Sequence, residues 1–144
     1  MNCAEIYLFE NNPADVKDVV DAFKPTTHSL KADHIGTTLT RALDIVEGIE
    51  VIENKPIVVF LDGNLSEDYK NLSGSDAITI YHKMKRLNLF DSKGIFGVKI
   101  IDFSSSSLVD VGLRVHAAPG KGNPAALPRI IDNLQLTSSW MKRV

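Results

Sequence analysis

Cysteine is almost missing from this chain. Of 144 residues only Cys3 is a cysteine, which excludes an internal disulfide and any cysteine-built metal cluster, and fits a reducing, cytoplasmic setting. Charge of one sign is missing too. With 16 Lys and Arg against 18 Asp and Glu, the net charge is −2, and no block of like charge gives a case for binding nucleic acid. No apolar run approaches the roughly 20 residues a membrane-spanning helix needs. The N-terminal stretch carries Glu5 and Glu10 instead of a cationic segment leading into an apolar one, so no signal peptide is expected. No glycine-rich phosphate loop follows the first apolar run, where "ENNPAD" stands, which disfavours a nucleotide or flavin site there. The "GKG" at Gly120–Gly122 lacks the spacing of such a loop.

What is present is alternation. Apolar runs "EIYLFE" (from Glu5), "PIVVFLD" (from Pro56) and "VKIID" (from Val98) read as buried strands, because polar residues do not alternate within them. "TTHSLKA" is a weaker second strand and "LRVHAAP" a short fifth. Between them lie helix-period segments. The first has Asn12 as cap, Pro13 at the first helical position and Asp15 in the first turn, where the helix dipole favours an anion. Its predicted apolar face is Val16, Val19, Val20 and Phe23. A second helix carries Leu39, Ala42, Leu43 and Val46, a third spans about Asp76–Leu87, and a last begins near Leu127. One α/β domain over 1–144 is predicted, with a five-stranded parallel sheet in the order 2-1-3-4-5 and helices on both faces, the doubly wound flavodoxin-like arrangement.

Ligand chemistry in such sheets gathers outside the carboxyl ends of the strands. Glu10, Asp62 and Ser104 all fall at such ends. A carboxylate pair from Glu10 and Asp62, with the backbone carbonyl of Asn64 two residues on, suits Mg²⁺, a hard cation that takes oxygen ligands and keeps waters. The Ser104 hydroxyl opposite would face a phosphoryl oxygen. The four histidines are scattered, with no i, i+4 pair, and are not expected to bind metal. Trp140 and Met141 are expected to cover an apolar edge.

In these motifs the chain resembles the receiver domain of two-component response regulators. "IYLFENNPAD" resembles the first strand, acidic pair and helix start, and "PIVVFLDGNL" the strand that ends on the phosphoaccepting aspartate, here Asp62. "VKIIDFSS" and "LRVHAAP" resemble the fourth and fifth strands. The resemblance implies a non-enzymatic, cytoplasmic signalling protein, phosphorylated on Asp62 by a sensor histidine kinase or phosphotransfer protein and acting on a downstream protein. It implies Mg²⁺ held by Glu10, Asn11, Asp62 and the Asn64 carbonyl.

The departures are as informative. The second acidic position is Asn11, a neutral amide, so Mg²⁺ binding should be weak. The position of the family's lysine is Ala118, just before Pro119. Lys121 is the nearby substitute, although a lysine in a loop is ordinarily a surface residue. The switching aromatic falls near Val115 or His116. The loop after Asp62, with Glu67, Asp68, Tyr69 and Lys70, is longer than usual, and Ser105–Gly112 allows at most two turns of the fourth helix. The alternative is a pseudo-receiver, the same fold used as a protein-interaction module indifferent to phosphate. A small doubly wound enzyme or flavin binder is the third possibility.

Overall fold

Helices cover both faces of a parallel sheet, as the continuous apolar strands require. A computed structural model describes residues 3–51, 55–65, 75–90, 98–105 and 107–136. The loop residues Glu67–Lys70, and Trp140 and Met141, lie outside the described residues. Strands β1 (Glu5–Phe9), β2 (Ser29–Gly36), β3 (Ile57–Leu61) and β4 (Val98–Asp102) pair in parallel in the order β2-β1-β3-β4. The predicted fifth strand lies parallel beside β4, reduced to one bridge between Ile101 and Ala117. Two backbone bonds mark it, His116 N to Ile100 O and Asp102 N to Ala117 O.

β3 is buried at every position. Its alternate side chains feed two cores. Val59 and Leu61 pack with Ile45, Val46, Ile80 and Met84 from helices α2 (Leu39–Glu47) and α3 (Ser75–Arg86). Val58 and Phe60 pack with Val19, Phe23, Leu127 and Ile131 from α1 (Pro13–Phe23) and α4 (Leu127–Leu136). Each such side chain, fully buried, contributes roughly 1.5–3 kcal/mol of hydrophobic stabilisation.

The cap at Asn12 stands where the sequence puts it, and the fold adds a second at Thr38. Asn12 Oδ1 accepts from Ala14 N at 2.9 Å with Pro13 in the first turn, and Thr38 Oγ1 accepts from Arg41 N at 3.1 Å to open α2. β2 runs further than "TTHSLKA" implies, through Asp33–Gly36, because a register shift between Ile6 and Leu8 lets its polar middle bulge outward while Gly36 re-enters the core. Gly36 has to be glycine-sized: a Cβ there would sit 3.0 Å from Ala42 Cα and 3.1 Å from the Phe9 ring.

His28 is a structural histidine. Its Nδ1 accepts from Ala4 N at 2.9 Å, which leaves Nε2–H to donate to Asp132 on α4 at 2.8 Å. The fourth-helix position holds one 3₁₀ turn, Val109–Val111, within the two-turn limit expected. Val109 and Val111 on it are exposed apolar residues.

Candidate functional site

Three carboxylates meet at the carboxyl edge of the sheet. Glu10 follows β1 and donates its amide to Gly36 O at 3.1 Å, while Asp62 follows β3 and donates its amide to Phe9 O at 3.0 Å. In-register parallel pairing of β1 with β3 therefore sets their side chains next to each other. The third is Asp15 in the first turn of α1. Asp62 Oδ1 also accepts from Gly63 N at 2.8 Å. The turn beyond it is fastened to α3: Leu65 N donates to Asp76 Oδ2 at 2.7 Å and Ala77 N to Gly63 O at 3.1 Å.

Lys121 reaches into this corner. The loop before the 3₁₀ turn Pro124–Ala126 reverses at Gly120, whose φ of 67° lies in the left-handed region that glycine adopts without strain. The Lys121 ammonium then lies 2.6 Å from Glu10 Oε1, 3.2 Å from Asp15 Oδ2 and 3.5 Å from Asp62 Oδ1, with the Phe103 ring centroid 5.6 Å away. Its side chain is only 20% exposed, so the expectation of a surface lysine is corrected. Lys121 is legible in the sequence only as a nearby substitute for the missing lysine, and Asp15 is not legible as a site residue at all. Lys121 stands three positions after Ala118 instead of on it, and Asp15 reads as an ordinary helix-dipole residue. The Gly-flanked "PGKGN" following a sheet edge was the available signal.

Burial by itself would lower the pKa of Lys121, but Glu10, Asp62 and Asp15 outweigh it and hold the ammonium above the ordinary lysine value. Glu10 is fully buried, and among the described residues its Oε2 accepts from no N–H or O–H donor. Burial, then its hydrogen bond with Asp62, push its carboxyl up to about 9 against the lowering pull of Lys121. The two upward shifts are compatible if Glu10 carries the proton. Oε1 then accepts from Lys121, and Asp15 and Asp62 are left to balance a single ammonium.

At the β4 rim the polar groups are arranged differently. Asp102, 3% exposed, accepts from Ser104 N at 3.0 Å and Ser104 Oγ at 2.5 Å on one oxygen, and from Leu108 N at 2.9 Å on the other. Ser104 thus stands at the rim as expected, with its hydroxyl hydrogen directed to Asp102. Asn11 is half-buried beside the start of α1, and Asn64 is half-buried in the turn after Asp62.

Among the described residues, no three carboxylate, imidazole or thiolate groups are disposed to hold a metal ion. Two carboxylates, Glu10 and Asp62, with the Asn11 amide and the Asn64 carbonyl nearby in sequence, still match the oxygen chemistry of Mg²⁺. The undonated Glu10 Oε2 is a place for a cation as much as for a proton.

No protein-family model matches the chain, and no curated protein matches it. Solved structures do. The bacteriophytochrome response regulator AtBRR aligns over 95% of this chain and 96% of its own, with a TM-score of 0.55 and 19% identity. The Mn²⁺-bound form of response regulator Rcp1 aligns over 98% and 96%, with a TM-score of 0.53 and 22% identity. A fusion carrying a yeast Spc42 trimeric coiled-coil segment aligns over 96% and 83%, at TM-score 0.63 and 13% identity. The fold is that of response-regulator receivers.

Proposed function

We propose that this chain is a receiver-type signalling module that accepts a phosphoryl group on Asp62, with Lys121 in the place of the lysine that position 118 lacks. The observation carrying this reading is the convergence of the Lys121 ammonium on Glu10 and Asp62 at the carboxyl edge. The Asp62 carboxylate attacks the phosphorus of a phosphohistidine on a sensor kinase or phosphotransfer protein. The P–N bond breaks, an aspartyl phosphate forms, and the imidazole leaves as the neutral base once it takes a proton. Lys121, already 3.5 Å from Asp62, then balances charge on the phosphoryl oxygens. Ser104 is the hydroxyl within this rim that would donate to one of them.

Mg²⁺, which Glu10, Asp62, the Asn11 amide and the Asn64 carbonyl would hold, supplies further charge neutralisation when bound. The amide at Asn11 attracts a divalent cation far less than a carboxylate would, so that binding is weak. Output runs through contacts with a downstream protein. Rcp1, of the same fold, is known in a Mn²⁺-bound form, which supports a divalent cation at this edge.

A second reading has its own support. With Ser104 engaged by Asp102 and Asn11 uncharged, the module would bind its partner without phosphate. Intact mass after incubation with acetyl phosphate and Mg²⁺ separates the two. The first reading expects a gain of one phosphoryl group that is lost in Asp62→Asn, and Asn11→Asp should tighten Mg²⁺ binding. An unchanged mass under saturating donor leaves the phosphate-independent module.

A further inference from the structure

Asp102 has no part in the mechanism above, yet it is a carboxylate buried at the end of β4. Its strand neighbours Val98 and Ile100 sit in the core under α2 and α3, and alternation puts Asp102 on that same face. Burying a carboxylate is costly unless donors surround it. Here the donors come from the segment that follows. Ser104 N and Oγ bind one oxygen and Leu108 N the other. Leu108 is itself the anchor of the next turn: its carbonyl accepts from Val111 N at 3.2 Å and Leu113 N at 3.1 Å, and its side chain is fully buried. One carboxylate therefore ties the end of the sheet, the Ser104 hydroxyl and the root of the Val109–Val111 turn together.

A serine has one hydroxyl hydrogen. While it is given to Asp102 it is not available to a phosphoryl oxygen. We propose that Asp102 is a positioning residue that competes with phospho-Asp62 for the Ser104 hydroxyl, so that engaging the phosphoryl group opens this clamp and frees Leu108 and the Val109–Val111 turn that follows it. This rests on the reading of Asp62 as phosphoacceptor. The competition is specific to a chain with aspartate at this strand end, and it makes Asp102 a brake on phosphorylation.

The test follows acetyl-phosphate-dependent incorporation by intact mass in the wild type, Asp102→Asn, Ser104→Ala and the double variant, together with amide exchange at Leu108. Asn keeps an oxygen for Ser104 but loses the charge, so the competing bond weakens. Steady-state phosphorylation should rise about tenfold, the scale of one charge-assisted hydrogen bond. The gain should vanish in the Ser104→Ala background, which a purely structural role for Asp102 would not cause. In the wild type, phosphorylation itself should speed exchange of the Leu108 amide by about tenfold, a measurement that stands even if Asp102→Asn does not fold. Equal incorporation in wild type and Asp102→Asn, a gain that survives Ser104→Ala, or an unmoved Leu108 amide on phosphorylation overturns the coupling alone. No incorporation in any of the four proteins overturns the assignment of Asp62, and the coupling with it.

Discussion

Two carboxylate clusters stand on the same edge of one sheet and solve opposite problems. At the β1–β3 rim, Glu10, Asp15 and Asp62 share the Lys121 ammonium, and a buried carboxyl oxygen has no donor among the described residues. At the β4 rim, one carboxylate accepts from three donors among the described residues. The first cluster has unmet demand for positive charge, as the proposed phosphoacceptor site would. The second is well supplied with donors, the state of a brace. A buried carboxylate is thus no signal of function by itself; the balance of donors around it decides.

The sharpest way to break the comparison is to empty the brace. Asp102→Ala leaves the Ser104 and Leu108 amides without their acceptor, beside a cavity. A loss of about 3–5 kcal/mol of unfolding free energy is expected, the scale of removing one partner from a buried charged network. Urea denaturation measures it. A loss below about 1 kcal/mol would mean that water replaces the carboxylate and that the brace is unimportant.

Next in size is Lys121→Met, which keeps an apolar stem but removes the ammonium shared by the acidic cluster. Asp15 and Asp62 then repel without compensation, and stability should fall by about 1–3 kcal/mol, with phosphorylation of Asp62 abolished. Full activity in this variant would show that Lys121 is a bystander.

How far the sequence announced these regions differs between them. Strand ends fall where apolar runs stop, so Glu10, Asp62 and Ser104 are found at strand ends by pattern alone, and so are the sheet's parallel sense and the cap at Asn12. β2 was placed too early, because its polar middle, Lys31–Asp33, bulges outward and breaks the apolar run. Lys121 is nameable as a substitute lysine, but its inward placement is not readable, because it depends on a loop reversal at Gly120 and no periodicity encodes loop geometry. Asp102 escaped notice because a charge ending an apolar strand looks solvated unless the segment folding over it is known. Local pattern finds what a strand presents; it does not find what a loop brings back.

The proton on Glu10 gives a third prediction, read as a pH dependence. Its folded pKa is raised, from an ordinary carboxyl value to about 9, by burial first and by Asp62 second. A raised folded pKa contributes stability that is fully present below the unfolded value and is lost as pH rises through the folded one. Wild-type stability from this group should therefore decline from about pH 5 toward pH 9. Glu10→Gln mimics the protonated acid, with an N–H₂ toward Asp62, and should flatten that decline, visible in melting curves across the range. Parallel wild-type and variant profiles would show that Glu10 is ionised throughout and that Lys121 alone balances it.

The smallest expected effect tests the loop that carries Lys121 to the acidic corner. Gly120 has φ of 67° and no heavy atom within 4 Å of where a Cβ would stand, so Gly120→Ala meets no clash and only the backbone penalty applies. That penalty for a non-glycine residue in the left-handed region is about 1 kcal/mol. It bears on the loop alone, because the 3₁₀ turn and α4 that follow are held by Leu127 and Ile131 in the core. If Lys121 reaches Glu10 only through this reversal, part of the cost will be met by withdrawing the lysine. Gly120→Ala should then lower overall stability by less than about 1 kcal/mol while reducing phosphorylation of Asp62 several-fold. Gly122→Ala, which also meets no atom within 4 Å and has no positive φ, is the control and should change neither. Equal behaviour of the two variants would mean that the lysine finds the acidic corner by its own flexibility, without guidance from the backbone.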